Sequence, residues 1–507
     1  MVSTIPLLDH ESVTFEEAKN LDFDVVHRHN QVALATKLYH DLWSHRESIA
    51  TITKKQLGLD AGAECSVALP QGWIRGKFNV CIPIEVKSRR LGRTVLMRCP
   101  MPFALRDSAS LDEKLRGEVG AYLWMQEHCT DIRIPQLYGF STSNGHFTHE
   151  ARFPWYMRLR RMVLRLFRSV FQHSALSPYA PMAAHTTLPT QYMLLEYIGQ
   201  DVGQMLSSTW NIHRHDPSHR NRLFHGLARI MISLARIPQP RIGSFRFHDD
   251  CTVTLTNRPS FAATALLENW GGEPSIDHGE TYCSTESYVA DMITLHDNYF
   301  YSNESATDDE NDCRAQMAIR TMLRTLSHNY IKREYRNGPF LLQLTDLHQS
   351  NVFVDDDWNI TCLLDLEWLC ALPPEALSAP YWFTGRSIDG IVDNNEGQNL
   401  TEYDCIRQEF MRAFSEEESR FKLVWPLSRI MEDMWQSKGT WFWHCLESVN
   451  GAYYLVYDHL LPQFSETISG LDKSFALLWR RKSQQIVEKK ISDFNGYTQK
   501  LGRLYTE

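Results

Sequence analysis

Three oxygen-bearing side chains, Asp346, Asn351 and Asp365, fall within one short stretch of the chain. Between the last two, Val352-Phe353-Val354 and Ile360 to Leu364 are β-prone runs separated by the polar Asp355-Asp356-Asp357-Trp358-Asn359. That spacing predicts a hairpin. A hairpin brings Asn351, just before the outgoing strand, and Asp365, just after the returning one, to the same open end. Asp346 precedes Asn351 by one short loop. Two oxygen donors from adjacent strand ends suit Mg²⁺, a hard ion that takes few protein ligands and keeps phosphate and water oxygens as the rest. A third carboxylate can orient a hydroxyl and accept its proton. Together these meet the needs of phosphoryl transfer: in-line positioning, neutralised phosphate charge and a base for the nucleophile. Singly, an Asp or Asn in a loop is usually a turn former; the combination points to chemistry. Asp355 to Asp357 read as a solvated turn. Glu367 reads either as an aid to the metal or as a buried structural partner.

The spacing D-x-x-x-x-N, a hairpin and then an Asp is the pattern of protein kinases and aminoglycoside phosphotransferases. The text LLQLTDLHQSNVFVDDDWNITCLLDLEW most resembles the fungal branch of the aminoglycoside-phosphotransferase-like proteins. The resemblance runs from about Gly72 to the early 400s and is most specific between residues 338 and 370. It implies that Asp346 is the catalytic base, that Asn351 and Asp365 hold Mg²⁺, and that the donor is ATP or GTP. It further implies that Gly72 and Gly76 form the turn covering the nucleotide. Arg98 would set a cation against the phosphates with Glu118 as its partner, and Glu196 and Ile198 would belong to the hinge holding adenine. Without the resemblance, the glycines fit a plain hairpin, and Arg98 with Glu118 a surface ion pair. Two positions depart from the family: Leu344-Thr345 replace the common His-Gly, and Arg98 replaces Lys. Base and metal ligands are retained. The implied acceptor is the hydroxyl of a small molecule, since no Ala-Pro-Glu segment of protein-kinase type follows Asp365. A nucleotide-binding pseudokinase acting as a scaffold and a divergent protein kinase are the alternatives, and fold membership does not fix a substrate.

The elements that must position these residues give an α+β, two-lobed, kinase-like plan. Residues 12–58 read as helical, with apolar Val32, Leu34, Leu38 and Leu42 at helical spacing. Short β-prone runs follow from Cys65 to Pro100, then a helix over Leu111–Glu127 and strands over Gln136–Phe140 and Tyr192–Tyr197. Beyond Gly199 the pattern is mainly helical, over 220–236, 285–299, 314–333, 401–414 and 427–448, interrupted by the Asp355 hairpin. The expected divisions are an N-terminal helical extension (1–60), a nucleotide-binding lobe (61–199) with a helical insertion near 152–175, a catalytic lobe (200–400) and a C-terminal helical extension (401–507).

That insertion is distinctive. In Trp155 to Phe171, Arg158, Arg161, Arg165 and Arg168 form one helical stripe, and Trp155, Leu159, Met162, Leu166 and Val170 the neighbouring one. Such a helix can lie on an anionic membrane or bind a calmodulin-like partner. The preferred expectation is packing on the body, with the arginines facing solvent or the acidic remainder of the chain.

Composition bounds the rest. Hydrophobic residues at 43% and charged residues at 22% exclude a wholly disordered chain. A formal charge of −9 argues against a general nucleic-acid binder, which needs a basic face. The eleven cysteines include no CxxC pair, so no zinc knuckle is indicated, and they read as reduced thiols. With neither a secretory pattern at residues 1–10 nor a spanning apolar run, the expected location is the cytoplasm.

Overall fold

The computed structural model describes residues 3–21, 23–60, 62–88, 91–183, 187–392, 397–421, 423–449, 451–464 and 470–506. Thr4–Leu7 (β1) and His10–Thr14 (β2) pair as an antiparallel hairpin ahead of helices Phe15–Lys19, Val25–Ser44 and Arg46–Leu57. The first helix opens with a capping box between Thr14 and Glu17, which satisfies two otherwise orphaned backbone donors. The third ends at Gly58, whose φ of 61° is the left-handed conformation that favours glycine.

The first large sheet is built from Glu64–Val67 (β3), Ile74–Arg75 (β4), Asn79–Ser88 (β5), Leu91–Pro100 (β6), Leu137–Thr142 (β7), Gly145–His149 (β8), Tyr179–Met182 (β9) and Tyr192–Glu196 (β10). Its order is β3-β5-β6-β10-β7-β8-β9, with β4 beside β5. Along β5, Val80, Ile82, Ile84 and Val86 share one face and are buried with Leu38, Leu42, Ile49 and Ile52 of the N-terminal helices. The period of two therefore sends the alternate residues of β5 and β6 to the opposite face. Cys81 and its cross-strand partner Arg98 lie there.

Helix Ser108–His128, capped by the Asp107 carboxylate on Ser110 N at 2.8 Å, joins this sheet to the second half of the chain. A Cβ on Gly120 would lie 3.0 Å from the Phe245 carbonyl carbon, so a side chain there would have to push β12 back by a few tenths of an ångström.

The second half carries Gln204–Met205 (β11), Gly243–Phe247 (β12), Val253–Asn257 (β13), Leu341–Leu344 (β14), Val352–Val354 (β15), Ile360–Leu363 (β16) and Leu369–Leu372 (β17). They form a β11-β15-β16 sheet and a β13-β12-β17-β14 sheet among helices that include Pro217–Ala235, Thr285–Ser302, Glu310–Leu326 and Gln398–Arg420. The four-stranded sheet is absent from the sequence expectation, which had one hairpin in this half. Its strands are short, and β17 is buried at every position, so no polar alternation marks it. The helix expected over 427–448 is two helices, Leu427–Gln436 and Gly439–Glu447, separated at Lys438, whose φ is 63°. The final helix, Ser483–Arg503, returns to the N-terminal hairpin: Tyr497 and Leu501 are buried with Ile5, Leu7, Val13 and Val25. Val25 N donates to the Tyr497 hydroxyl at 3.0 Å. No helix among the described residues is long and apolar enough to cross a membrane.

Candidate active site

The hairpin expected between Asn351 and Asp365 is β15–β16, in register Val352↔Leu363 and Phe353↔Cys362. Leu364 N donates to the Asn351 carbonyl at 2.8 Å, closing the open end with Asp365 immediately beyond it. Asp365 has φ 56°, a left-handed conformation that aspartate tolerates better than most residues. At the other end Asp356 and Asp357 are exposed, and Asp355 accepts from Asp357 N and Asn359 N. Trp358 in the same turn is fully buried. It stacks on Trp210 at 5.5 Å, and its indole N–H donates to Thr209 Oγ1 at 3.0 Å. The hairpin is thus anchored at its tip, which the polar turn text does not reveal.

The loop before the hairpin is held from both sides. Asn351 Nδ2 donates to the Asp346 carbonyl at 2.9 Å and lies 3.3 Å from His348 Nε2. Thr345 donates from its N and its Oγ1 to the Trp368 carbonyl, at 3.2 and 3.1 Å. These bonds brace the loop where Leu344-Thr345 replace His-Gly. Burial pushes the Asp346 carboxyl up to about 7, with Asp365 and Glu367 adding to the shift, and Lys77 and Arg98 opposing it. Lys77 sits in the β4–β5 turn. Its surface is open to solvent, yet enough protein surrounds it that desolvation draws its ammonium below the usual lysine range, against the pull of Asp346.

Arg98 is the centre of a buried charge net. Its Nε lies 3.0 Å from Glu118 Oε1, and its Nη2 lies 2.6 Å from both Asp365 Oδ1 and Glu367 Oε2. Glu367 also accepts from Lys114 Nζ at 2.5 Å and Asn79 Nδ2 at 2.7 Å. Oxygens of Glu118, Asp365 and Glu367 lie within 4.8 Å of one another, and Arg98 and Lys114 neutralise most of that charge. Burial and crowding push Glu118 up to about 7 and raise Asp365, whereas against burial Lys114 and Arg98 hold Glu367 down at about 2. Glu367 is therefore a structural partner of Lys114, and the Arg98–Glu118 pair is buried rather than superficial. Lys114 and Asn79 escaped the sequence reading. For Lys114 there was a signal, its i,i+4 spacing to Glu118 on one helix face; Asn79 carried none.

The remaining candidates lie on either side of the first sheet's strands. Gly76 N donates to the Asn79 carbonyl at 2.9 Å and so belongs to the β4–β5 turn. Gly72 instead ends a short 3-10 turn before β4, outside the β4–β5 turn. Neither glycine has a positive φ. Glu196, at the end of β10, accepts from Gln136 N at 3.1 Å and pairs with Arg133 at 3.2 Å. Ile198 packs with Phe353 and Cys362, flanked by Val202, Met205 and Leu364. The segment after β10 thus rests on the hairpin that carries Asn351 and Asp365.

No family model matches the sequence, and no curated protein matches it either. Solved structures do. The chain is similar to an ethanolamine kinase of Plasmodium vivax at 11% identity and a TM-score of 0.35, covering 86% of this chain and 85% of that one. It is also similar to a macrolide 2'-phosphotransferase type I at 10% identity and a TM-score of 0.33, covering 88% and 96%. Likeness of this degree carries no chemistry, which has to come from the side chains of this chain.

Those side chains fit a magnesium nucleotide. Asn351 spends its amide nitrogen on the loop, leaving its oxygen as a donor, and the Asp365 carboxylate keeps 23% of its side-chain surface exposed beside it. Hard oxygen donors from neighbouring strand ends suit Mg²⁺. Ile198, Phe353 and Leu364 form a small apolar cluster beside the end of β10. On the other side of Asp346 a small pocket is bounded by His348, Tyr381, Trp382, His444 and Glu447.

Proposed function

We propose that the protein transfers the γ-phosphate of ATP to a hydroxyl group of a small molecule. The observation that carries this is Asp346: it lines a small pocket five residues before Asn351, which holds its backbone carbonyl, and burial raises its carboxyl to about 7. A base poised near the working pH takes a hydroxyl proton most effectively. Asn351 and Asp365 would hold Mg²⁺, which would supply neutralisation of the phosphate charge. Arg98 would turn its guanidinium from Asp365 to the phosphates while Glu118 keeps it in position. Lys77, in the β4–β5 turn and within electrostatic reach of Asp346, would add a second cation. Ile198, Phe353 and Leu364 would bear the base, with backbone groups at Glu196 and Ile198 giving it hydrogen bonds.

The experiment is Mg·ATP titration by calorimetry, then phosphate transfer over a panel of hydroxylated metabolites. Asp346→Asn should lower turnover by about 10²–10⁴ while nucleotide still binds, the usual contribution of a general base. Unaltered turnover would reject the assignment. A nucleotide-binding scaffold without turnover is the alternative, favoured by the 2.6 Å contact of Arg98 on Asp365, which competes with a metal for that carboxylate. Binding with no transfer to any acceptor would select it.

A further inference from the structure

Helix Trp155–Val170 is docked by its charged face. Arg161 Nε pairs with Glu150 Oε2 at 3.1 Å, and its Nη2 donates to the carbonyls of Ser177 and Tyr179 at 2.6 and 2.8 Å. Arg165 donates to both Glu150 oxygens at 2.7 Å and to the Leu176 carbonyl at 3.1 Å. Arg168 donates to the Ser174 carbonyl at 2.8 Å and pairs with Asp250 at 3.3 Å. These three arginines are the only residues of the helix that are even partly buried. At the α-helical repeat they share an arc of about 60°.

Most of the remaining circumference is apolar and faces water. Trp155 is 73% exposed, Leu166 64%, Val170 77%, Phe167 57% and Leu159 45%. A surface helix ordinarily turns its apolar stripe to the core, and a soluble monomer rarely presents a continuous apolar patch of this kind without a use for it. Of the two orientations expected for the arginines, towards solvent or towards the acidic remainder of the chain, three take the second, on Glu150 and Asp250, and the apolar stripe faces out.

Charge narrows the choice of occupant. From Glu150 to Glu196 the chain has six arginines (152, 158, 160, 161, 165 and 168), no Lys or Asp, and only those two glutamates, a local charge of 6 − 2 = +4 in a protein of −9. Arg158 and Arg160 are exposed and flank or interrupt the apolar arc. Apart from Arg160, the outward arc carries no charged side chain, whereas a protein interface has a polar rim that sets its register. Aromatic Trp155 and Tyr156 stand at one end, Phe167 and Phe171 at the other, side chains suited to the headgroup boundary.

We propose that the outward face of helix Trp155–Val170 is a docking surface for an anionic lipid bilayer. The helix lies in the interface with its apolar arc in the acyl boundary, Arg158 and Arg160 among the headgroups, and Arg161, Arg165 and Arg168 fastening it to the protein. Sixteen residues rising about 1.5 Å each are too short to span the hydrocarbon core, so the helix lies along the surface. This does not depend on the phosphotransferase proposal.

The test is flotation of the full-length protein with vesicles of phosphatidylcholine alone and of phosphatidylcholine with phosphatidylserine. Recovery with the anionic vesicles at low salt is expected. Leu159→Glu/Leu166→Glu/Val170→Glu should cut partitioning at least about tenfold with unchanged circular dichroism and melting temperature, because those side chains project into solvent. Arg158→Gln/Arg160→Gln should weaken binding to the anionic vesicles alone, by about fivefold for each arginine. Failure of the full-length protein to float with anionic vesicles overturns the proposal. So does flotation unchanged by the triple substitution, or a dimer in light scattering that this substitution converts to monomer without lipid.

Discussion

Arg98 lies inside the molecule among Glu118, Asp365 and Glu367, whereas Arg161, Arg165 and Arg168 fasten a helix to its surface. The two regions use the same side chain under opposite conditions. Around Arg98 the charges are largely desolvated, so each member of the net depends on the others, and removing one leaves uncompensated charge. On the surface the arginines bond largely to main-chain carbonyls and remain partly hydrated, so each contact is weak and screened by salt. The buried net fixes the position of single atoms; the surface ladder fixes only which way a helix faces.

Breaking the net should have the largest effect. Arg98→Met is expected to cost about 3–5 kcal/mol, the usual loss when one partner of a buried ion pair is removed, seen as a lower denaturation midpoint. A loss below about 1 kcal/mol, typical of an exposed pair, would mean that solvent reaches the cleft and that the contrast fails. The next test concerns a buried titratable group with no carboxylate bonded to it. His296 is buried with its Nε2 on the Leu446 carbonyl at 3.0 Å, and burial lowers its pKa to about 4. The unfolded chain takes up that proton near 6.5, so stability is full above this value and falls as pH drops towards 4. Between pH 7 and pH 5 the difference should be about 2 kcal/mol, and wild type minus His296→Gln isolates it; identical pH curves would show His296 to be hydrated. Smallest is Arg165→Ala, expected to cost about 1 kcal/mol or less and to matter less as salt rises. If it matched Arg98→Met, the ladder would be as buried in energy as the net.

The same contrast explains what the sequence discloses. Asp346, Asn351 and Asp365 stand out because their types are chemically unusual together and the turn between them is local; the structure does bring β15 and β16 into register. The helix carrying Glu118 and the strands around Arg98 follow from periodicity. Lys114 and Asn79 do not, since their role is defined by Glu367, which approaches from the far half of the chain. β17 lacks alternation for the same reason, being buried at every position by distant segments. For helix Trp155–Val170 periodicity yields both faces but not which one turns inward. That is decided by Glu150, Asp250 and the carbonyls of residues 174–179, acceptors that carry no signature in the text.

Gly120 has a mechanical consequence. With its backbone against Phe245, helix Ser108–His128 cannot roll or slide without driving a peptide group into β12. The segment bearing Lys114 and Glu118 is therefore bolted to the far half of the molecule.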